Sequence, residues 1–102
     1  MALQQVDSDT FDSFIANEGK SVVQFSANWC GPCKLLTKTM EVASENIEAQ
    51  FGKVDIDKNR ELAMKFNIRS VPTTIVFENG QAKQTIIGNK SYMEILSFVE
   101  EA

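Results

Sequence analysis

Histidine is missing from this chain of 102 residues, and cysteine and proline occur only twice each. Without histidine there is no Ser-His-Asp triad, no Cys-His dyad and no imidazole-ligated metal within one chain. Two cysteines cannot complete a four-thiolate zinc or iron–sulfur site without a second chain or carboxylate ligands. Basic runs and arginine clusters are also lacking, and the net charge is −4, which argues against a partner bound through its phosphate backbone. No apolar stretch approaches the roughly 20 residues that a membrane span needs. The N-terminal Met1-Ala2-Leu3-Gln4-Gln5-Val6 has neither the charged start nor the apolar core of a signal peptide, so a cytoplasmic location is expected. Repeats and low-complexity tracts are absent as well. The 43% hydrophobic and 24% charged content is that of a globular chain, and the length suits a single domain over residues 1–102.

Both cysteines lie in Trp29-Cys30-Gly31-Pro32-Cys33-Lys34, just past the β-branched apolar run Val22-Val23-Gln24-Phe25. Gly31 and Pro32 break the strand, and a helical pattern begins at Cys33. Proline suits a first helical turn, where its missing N–H would have no partner anyway. The pair is therefore expected at a helix N-terminus, where free N–H groups and the helix dipole stabilise negative charge. A thiolate is such a charge, and it is the nucleophilic form of cysteine. Cytosolic cysteines are usually reduced, so the spacing reads as catalytic or metal-binding before it reads as a structural staple. Thiol–disulfide exchange fits the missing histidine, because it needs only an activated thiolate and a second thiol to resolve the adduct.

The remaining sequence reads as alternating elements. Ser8 or Asp9 can cap a helix carrying Phe11, Phe14 and Ile15, with Gly19 as its left-handed end. Ser21 to Ser26 is near-continuously apolar, as in a strand covered on both faces. Leu35, Leu36, Met40, Ala43 and Ile47 mark a helix, and Phe51 to Ile56 a strand. Asn59 can cap a short helix with Leu62, Ala63 and Phe66, closed by Asn67. Thr73 to Phe77 and Gln84 to Ile87 flank the turn pair Asn79-Gly80. Ser91-Tyr92-Met93-Glu94 is a capping box opening a helix with Tyr92, Ile95, Leu96 and Val99 inward. Phe98 also reads as core. The expected order is β-α-β-α-β-α-β-β-α: an α/β fold with a central mixed five-stranded sheet and helices on both faces. No residues are assigned to its leading strand.

With these motifs in place the chain closely resembles the thioredoxin family over essentially its whole length. The resemblance is carried by Trp29 to Lys34, by Lys53-Val54-Asp55-Ile56-Asp57-Lys58-Asn59, by Ile68-Arg69-Ser70-Val71-Pro72-Thr73, and by Phe77-Glu78-Asn79-Gly80 with Ile87-Gly88. It implies a thioredoxin fold and a protein-disulfide reductase. In that scheme Cys30 is the exposed nucleophile, Cys33 is the more buried resolving thiol, and the two form the redox-active disulfide. Pro72 would be cis and face the cysteines. Substrate would dock across Trp29, Gly31, Pro32, Val71, Pro72, Ile87 and Gly88. The implied partners are disulfide-containing proteins and a thioredoxin reductase, typically a flavoprotein using NADPH. No bound cofactor, metal, nucleic acid or membrane is implied, and a monomer is expected. The Gly-Pro spacer brings no cation to Cys30, which favours the reducing end of the family.

Three positions depart from the family pattern. Gln24 stands where a buried Asp is usual, Ser26 where an aromatic is usual, and Lys38 where a helix-kinking proline is common. Loss of an internal proline restores a helix hydrogen bond, so Lys38 reads as a tolerated change. Gln24 is different. The family Asp is held to accept the proton of Cys33, and an amide cannot titrate. Its usual lysine partner remains as Lys53, either exposed or buried at a cost. The proton route through Gln24, Ser26 and Lys53 is thus left open. Asp55, Asp57 and Glu61 lack the spacing of a calcium loop and read as a solvated strand exit. Two other function classes compete. One is a redox-independent binding or chaperone-like subunit on the same fold, which would have no need of the cysteine pair. The other is a dimer holding a metal between two C-x-x-C pairs.

Overall fold

The computed structural model describes residues 3–102, so Met1 and Ala2 of the segment inspected for a leader lie outside it. Five strands and four helices follow in order: β1 (Gln4–Gln5), α1 (Phe11–Ile15), β2 (Lys20–Ser26), α2 (Gly31–Asn46), β3 (Gln50–Asp55), α3 (Arg60–Lys65), β4 (Thr73–Glu78), β5 (Gln81–Ile87) and α4 (Tyr92–Glu101). The sheet order is β1-β3-β2-β4-β5. β3 pairs parallel with β1 and β2, while β4 pairs antiparallel with β2 and β5. The expected α/β architecture is therefore present, and its unassigned leading strand is the short pair Gln4–Gln5. Polar and exposed, that pair carries no alternation from which to read a strand.

β2 is central, and Ser21 to Ser26 are all buried. One face of the sheet packs Val23, Phe25, Val54, Ile75 and Phe77 against Phe11, Phe14 and Ile15 of α1 and Leu62 of α3. The other packs Val22, Phe51 and Val76 against Leu36, Met40 and Ala43 of α2 and Ile95, Phe98 and Val99 of α4. Phe66 is half-buried, yet its ring lies 5.3, 5.4 and 5.9 Å from those of Phe11, Phe77 and Phe25. Burying a ring of this size contributes about 1.5–3 kcal/mol.

Several local expectations need correcting. α1 is capped by neither Ser8 nor Asp9. Asp7 Oδ1 accepts from the backbone N–H groups of Asp9 and Thr10 at 2.9 and 3.0 Å, and so occupies the capping role. α1 stops at Ile15, and Gly19 does not have positive φ. Asn59 precedes α3 without a side-chain cap bond. It is buried instead, accepting from Ser8 N–H at 2.9 Å and donating to the Asp55 carbonyl at 3.0 Å. Long-range packing has taken the side chain from the local cap. Leu35, one of the apolar residues that mark α2, is 58% exposed, because Cys33 and Leu36 occupy the inward positions on either side of it. α2 begins at Gly31, two residues before the expected start. Other local readings hold: Asn67, Asn79 and Gly80 have positive φ, and Ser91 and Glu94 form a complete capping box.

Candidate active site

Cys30 is the N-cap residue of α2, and Pro32 lies in the first turn. Cap position places a side chain where unpaired helix N–H groups point. Here the cap atom is sulfur: Cys30 Sγ accepts from the Cys33 N–H at 3.1 Å. The two cysteines form a disulfide. The bond sits in a small apolar cluster with Ala27, against Ile56 and Val71. Cys30 is only 5% exposed, against 2% for Cys33, so the first cysteine is buried in this state rather than exposed as expected. Its burial comes from that apolar packing around the closed ring.

The segment before β4 faces the sulfurs. Val71–Pro72 is a cis peptide, and the Val71 carbonyl lies 3.7 Å from Cys30 Sγ. Gly88 N–H donates to the Pro72 carbonyl at 2.8 Å, which ties the end of β5 to the same surface. Gly88 has φ +95°, a conformation that L side chains rarely adopt. Gly31 has open space where a side chain would project. Trp29 and Ile87, which directly precede Cys30 and Gly88 in the chain, are 70% and 61% exposed.

Behind the disulfide, Gln24 is fully buried. Its Nε2 donates to the Cys33 carbonyl at 3.1 Å and to Thr37 Oγ1 at 3.2 Å. Thr37 in turn donates to the Cys33 carbonyl at 2.9 Å. Gln24 therefore binds the backbone of Cys33, as a donor that a carboxylate would not be. Lys53 is half-buried and stands opposite Gln24 in the β2–β3 register. Ser26 is buried, with no hydrogen-bond partner for its hydroxyl among the described residues. Lys38 is exposed on an uninterrupted α2.

Two contributors were not legible in the sequence. Thr37 locks Gln24 to α2; its only signal was its place one helical turn after Cys33. Asp57, read as part of a solvated strand exit, accepts from Trp29 Nε1 at 2.9 Å and fixes the exposed indole. No group of three or more His, Cys, Asp or Glu side chains suited to a metal occurs among the described residues. No helix among them is long and apolar enough to cross a membrane.

The family model described as Thioredoxin matches residues 2–101. The chain is 41% identical to the thioredoxin of Chlamydia pneumoniae over 86 residues, 83% of each protein. It is 38% identical to that of Staphylococcus aureus over 90 residues, 86% of each. Among solved structures, a mutant thioredoxin from Halobacterium salinarum NRC-1 superposes with a TM-score of 0.93 at 28% identity, covering 98% of this chain and 89% of that one. The Malassezia sympodialis thioredoxin gives 0.89 at 29% identity, covering 98% and 90%.

Proposed function

Because the chain belongs to the thioredoxin family of thiol–disulfide oxidoreductases, we propose that Cys30 attacks the substrate disulfide and Cys33 resolves the adduct, within one domain over residues 1–102. The observation that carries this assignment is the 3.1 Å contact from the Cys33 N–H to Cys30 Sγ. The same donor, at the positive end of α2, would stabilise a Cys30 thiolate once the disulfide opens. Cys33 has no comparable place, because it lies within α2 rather than at its cap and its side chain packs toward the core.

The steps balance as two exchanges. Cys30 thiolate attacks one substrate sulfur, forming a mixed disulfide and releasing the other substrate sulfur as a thiolate. Cys33 then loses its proton and attacks Cys30 Sγ. The Cys30–Cys33 bond forms, the mixed disulfide breaks, and the second substrate sulfur leaves. The dithiol gives up two electrons, and the substrate disulfide takes them.

Substrate docks as an extended segment over Trp29, Gly31, Pro32, Val71, Pro72, Ile87 and Gly88. The backbone of Val71 pairs with it, as in strand addition, so affinity depends little on substrate side chains. The open space at Gly31 supports close approach of that backbone. A thioredoxin reductase, a flavoprotein using NADPH, restores the dithiol, and the chain works as a cytoplasmic monomer.

Alkylation of the reduced protein near neutral pH tests the assignment. Iodoacetamide should modify Cys30 before Cys33; the reverse order contradicts it. Insulin reduction by the reduced chain separates a reductase from a redox-independent binding subunit, which would leave insulin intact.

A further inference from the structure

Three rows of side chains cross the α2 face of the sheet. In the lowest row Phe51, Val22 and Val76 are apolar core. The next row holds Lys53, Gln24 and Thr74, which are register partners. Above it, toward the end of β2, Ser26 stands beside Asp55. Side chains alternate along a strand, so Val22, Gln24 and Ser26 share one face. The core thus turns polar toward the disulfide.

The contacts of α2 show how the helix lies on these rows. Ala27 packs with Cys30 and Cys33, Gln24 bonds Cys33 and Thr37, and Val22 packs with Leu36, Met40 and Ala43. The helix therefore runs back along β2, and Ser26 lies between the Ala27 and Gln24 levels, against the first turn. Helical side chains tilt toward the helix N-terminus, which carries the Cys33 sulfur from the Gln24 level toward that of Ser26. On these two adjacent rows two hydroxyls are orphaned. Ser26 Oγ and Thr74 Oγ1 are each enclosed, their residues 1% exposed, with no hydrogen-bond partner among the described residues. Buried hydroxyls are rarely left so, and ordered water is the usual partner.

We propose that Ser26, with Thr74 and the Gln24 carboxamide, holds internal water beneath Cys33, and that this water carries away the Cys33 proton in the second exchange. The proposal rests on Cys33 being the resolving thiol. Ser26 is then a positioning residue. It accepts from or donates to the water, while the proton passes from the Cys33 thiol through the water to solvent as the Cys30–Cys33 bond forms. Gln24 holds the Cys33 backbone over the site but cannot itself take the proton. Two neutral hydroxyls and an amide do by hydration what one buried carboxylate would do by titration.

Stopped-flow reaction of the reduced protein with a symmetrical aromatic disulfide that releases a coloured thiolate separates the steps. The first release reports Cys30 attack, and the second reports resolution by Cys33. Ser26→Ala should leave the first phase unchanged and slow the second by about a hundredfold, the low end of what positioned proton transfer supplies. The solvent deuterium isotope effect on the second phase should also change. Isosteric Thr74→Val should slow the same phase less, and Ser26→Thr should restore it. Should the hydroxyls be dry structural orphans, Ser26→Ala would raise the melting temperature and leave both phases and the isotope effect unaltered, overturning the proposal. Loss of the first phase in Cys33→Ser would instead overturn the assignment of thiols beneath it.

Discussion

Gln24 shows how one buried residue reorganises the hydrogen bonds behind a thiol site. Its amide N–H groups face the Cys33 carbonyl and Thr37. A carboxylate at that position would set oxygen against oxygen and place a charge in a fully buried site. Gln24→Asp should therefore destabilise the oxidised protein by about 1–3 kcal/mol, read by urea unfolding. It should also add a titration to the pH profile of substrate release, with Lys53 across the strand pair available to the new charge. Unchanged stability together with an unchanged profile would mean that position 24 does not address the cysteines. Asp57 makes a second residue-scale case. Its carboxylate fixes the indole of Trp29, which is otherwise exposed. Asp57→Ala should leave stability within about 0.5 kcal/mol, as for a surface change. It should raise KM for protein disulfides more than it lowers kcat, because it loosens the proposed docking surface without touching sulfur. Both contacts cross between elements, 13 residues apart for Gln24 and Thr37 and 28 for Trp29 and Asp57, so neither partner was readable from its immediate neighbours.

At the scale of elements, what was legible in the sequence had a local cause. The Asn79-Gly80 turn, the Asn67 helix end and the Ser91–Glu94 capping box each rest on conformational preferences or contacts within a few residues, and each is present. The misread cap at Asn59 failed for the opposite reason, since Asn59 is held by a residue 51 positions away, whereas Ser8 and Asp9 lost the capping role to their neighbour Asp7. Gly52 likewise passed as an ordinary strand residue. A methyl group there would come within 2.8 Å of Val6 and 2.9 Å of the Phe14 ring. Gly52→Ala should cost about 1–3 kcal/mol by overpacking, seen as a lower denaturation midpoint with an unchanged slope. A neutral result would mean that α1 yields freely. The capping box supplies a pH signature. The Ser91 backbone N–H bond lowers the Glu94 pKa from its ordinary 4.5, with the Ser91 side chain adding to the effect. A carboxylate depressed in the folded state stabilises above its unfolded pKa and loses that contribution as pH falls through the folded value. The stability difference between the wild type and Glu94→Gln should thus be full near neutrality and shrink below about pH 4.5. A constant difference across that window would remove the ionised cap.

At the scale of the molecule, the sheet brings three remote pieces of chain to one end of its strands: the β2–α2 junction with Cys30 and Cys33, the Val71–Pro72 turn, and the end of β5 at Gly88. The motif was visible in the sequence because its chemistry is local to the start of one helix. The surface facing it was reached only through the resemblance, since nothing in Val71 or Gly88 alone points toward sulfur. The Gln24–Thr74 row and the Ser26 hydroxyl above it were invisible as a unit, because they come together only once β2 and β4 pair. In the proposed mechanism the fold thus converts a helix N-cap into a nucleophile position and leaves the second thiol to a hydrated interior. The central claim is that Cys30 meets the substrate and Cys33 releases it. Mass spectrometry of the Cys33→Ser variant after reaction with a protein disulfide tests this most directly. The account predicts a stable mixed disulfide on Cys30, and no trapped adduct from Cys30→Ser. A substrate adduct on Cys33, or turnover by Cys30→Ser, would contradict it.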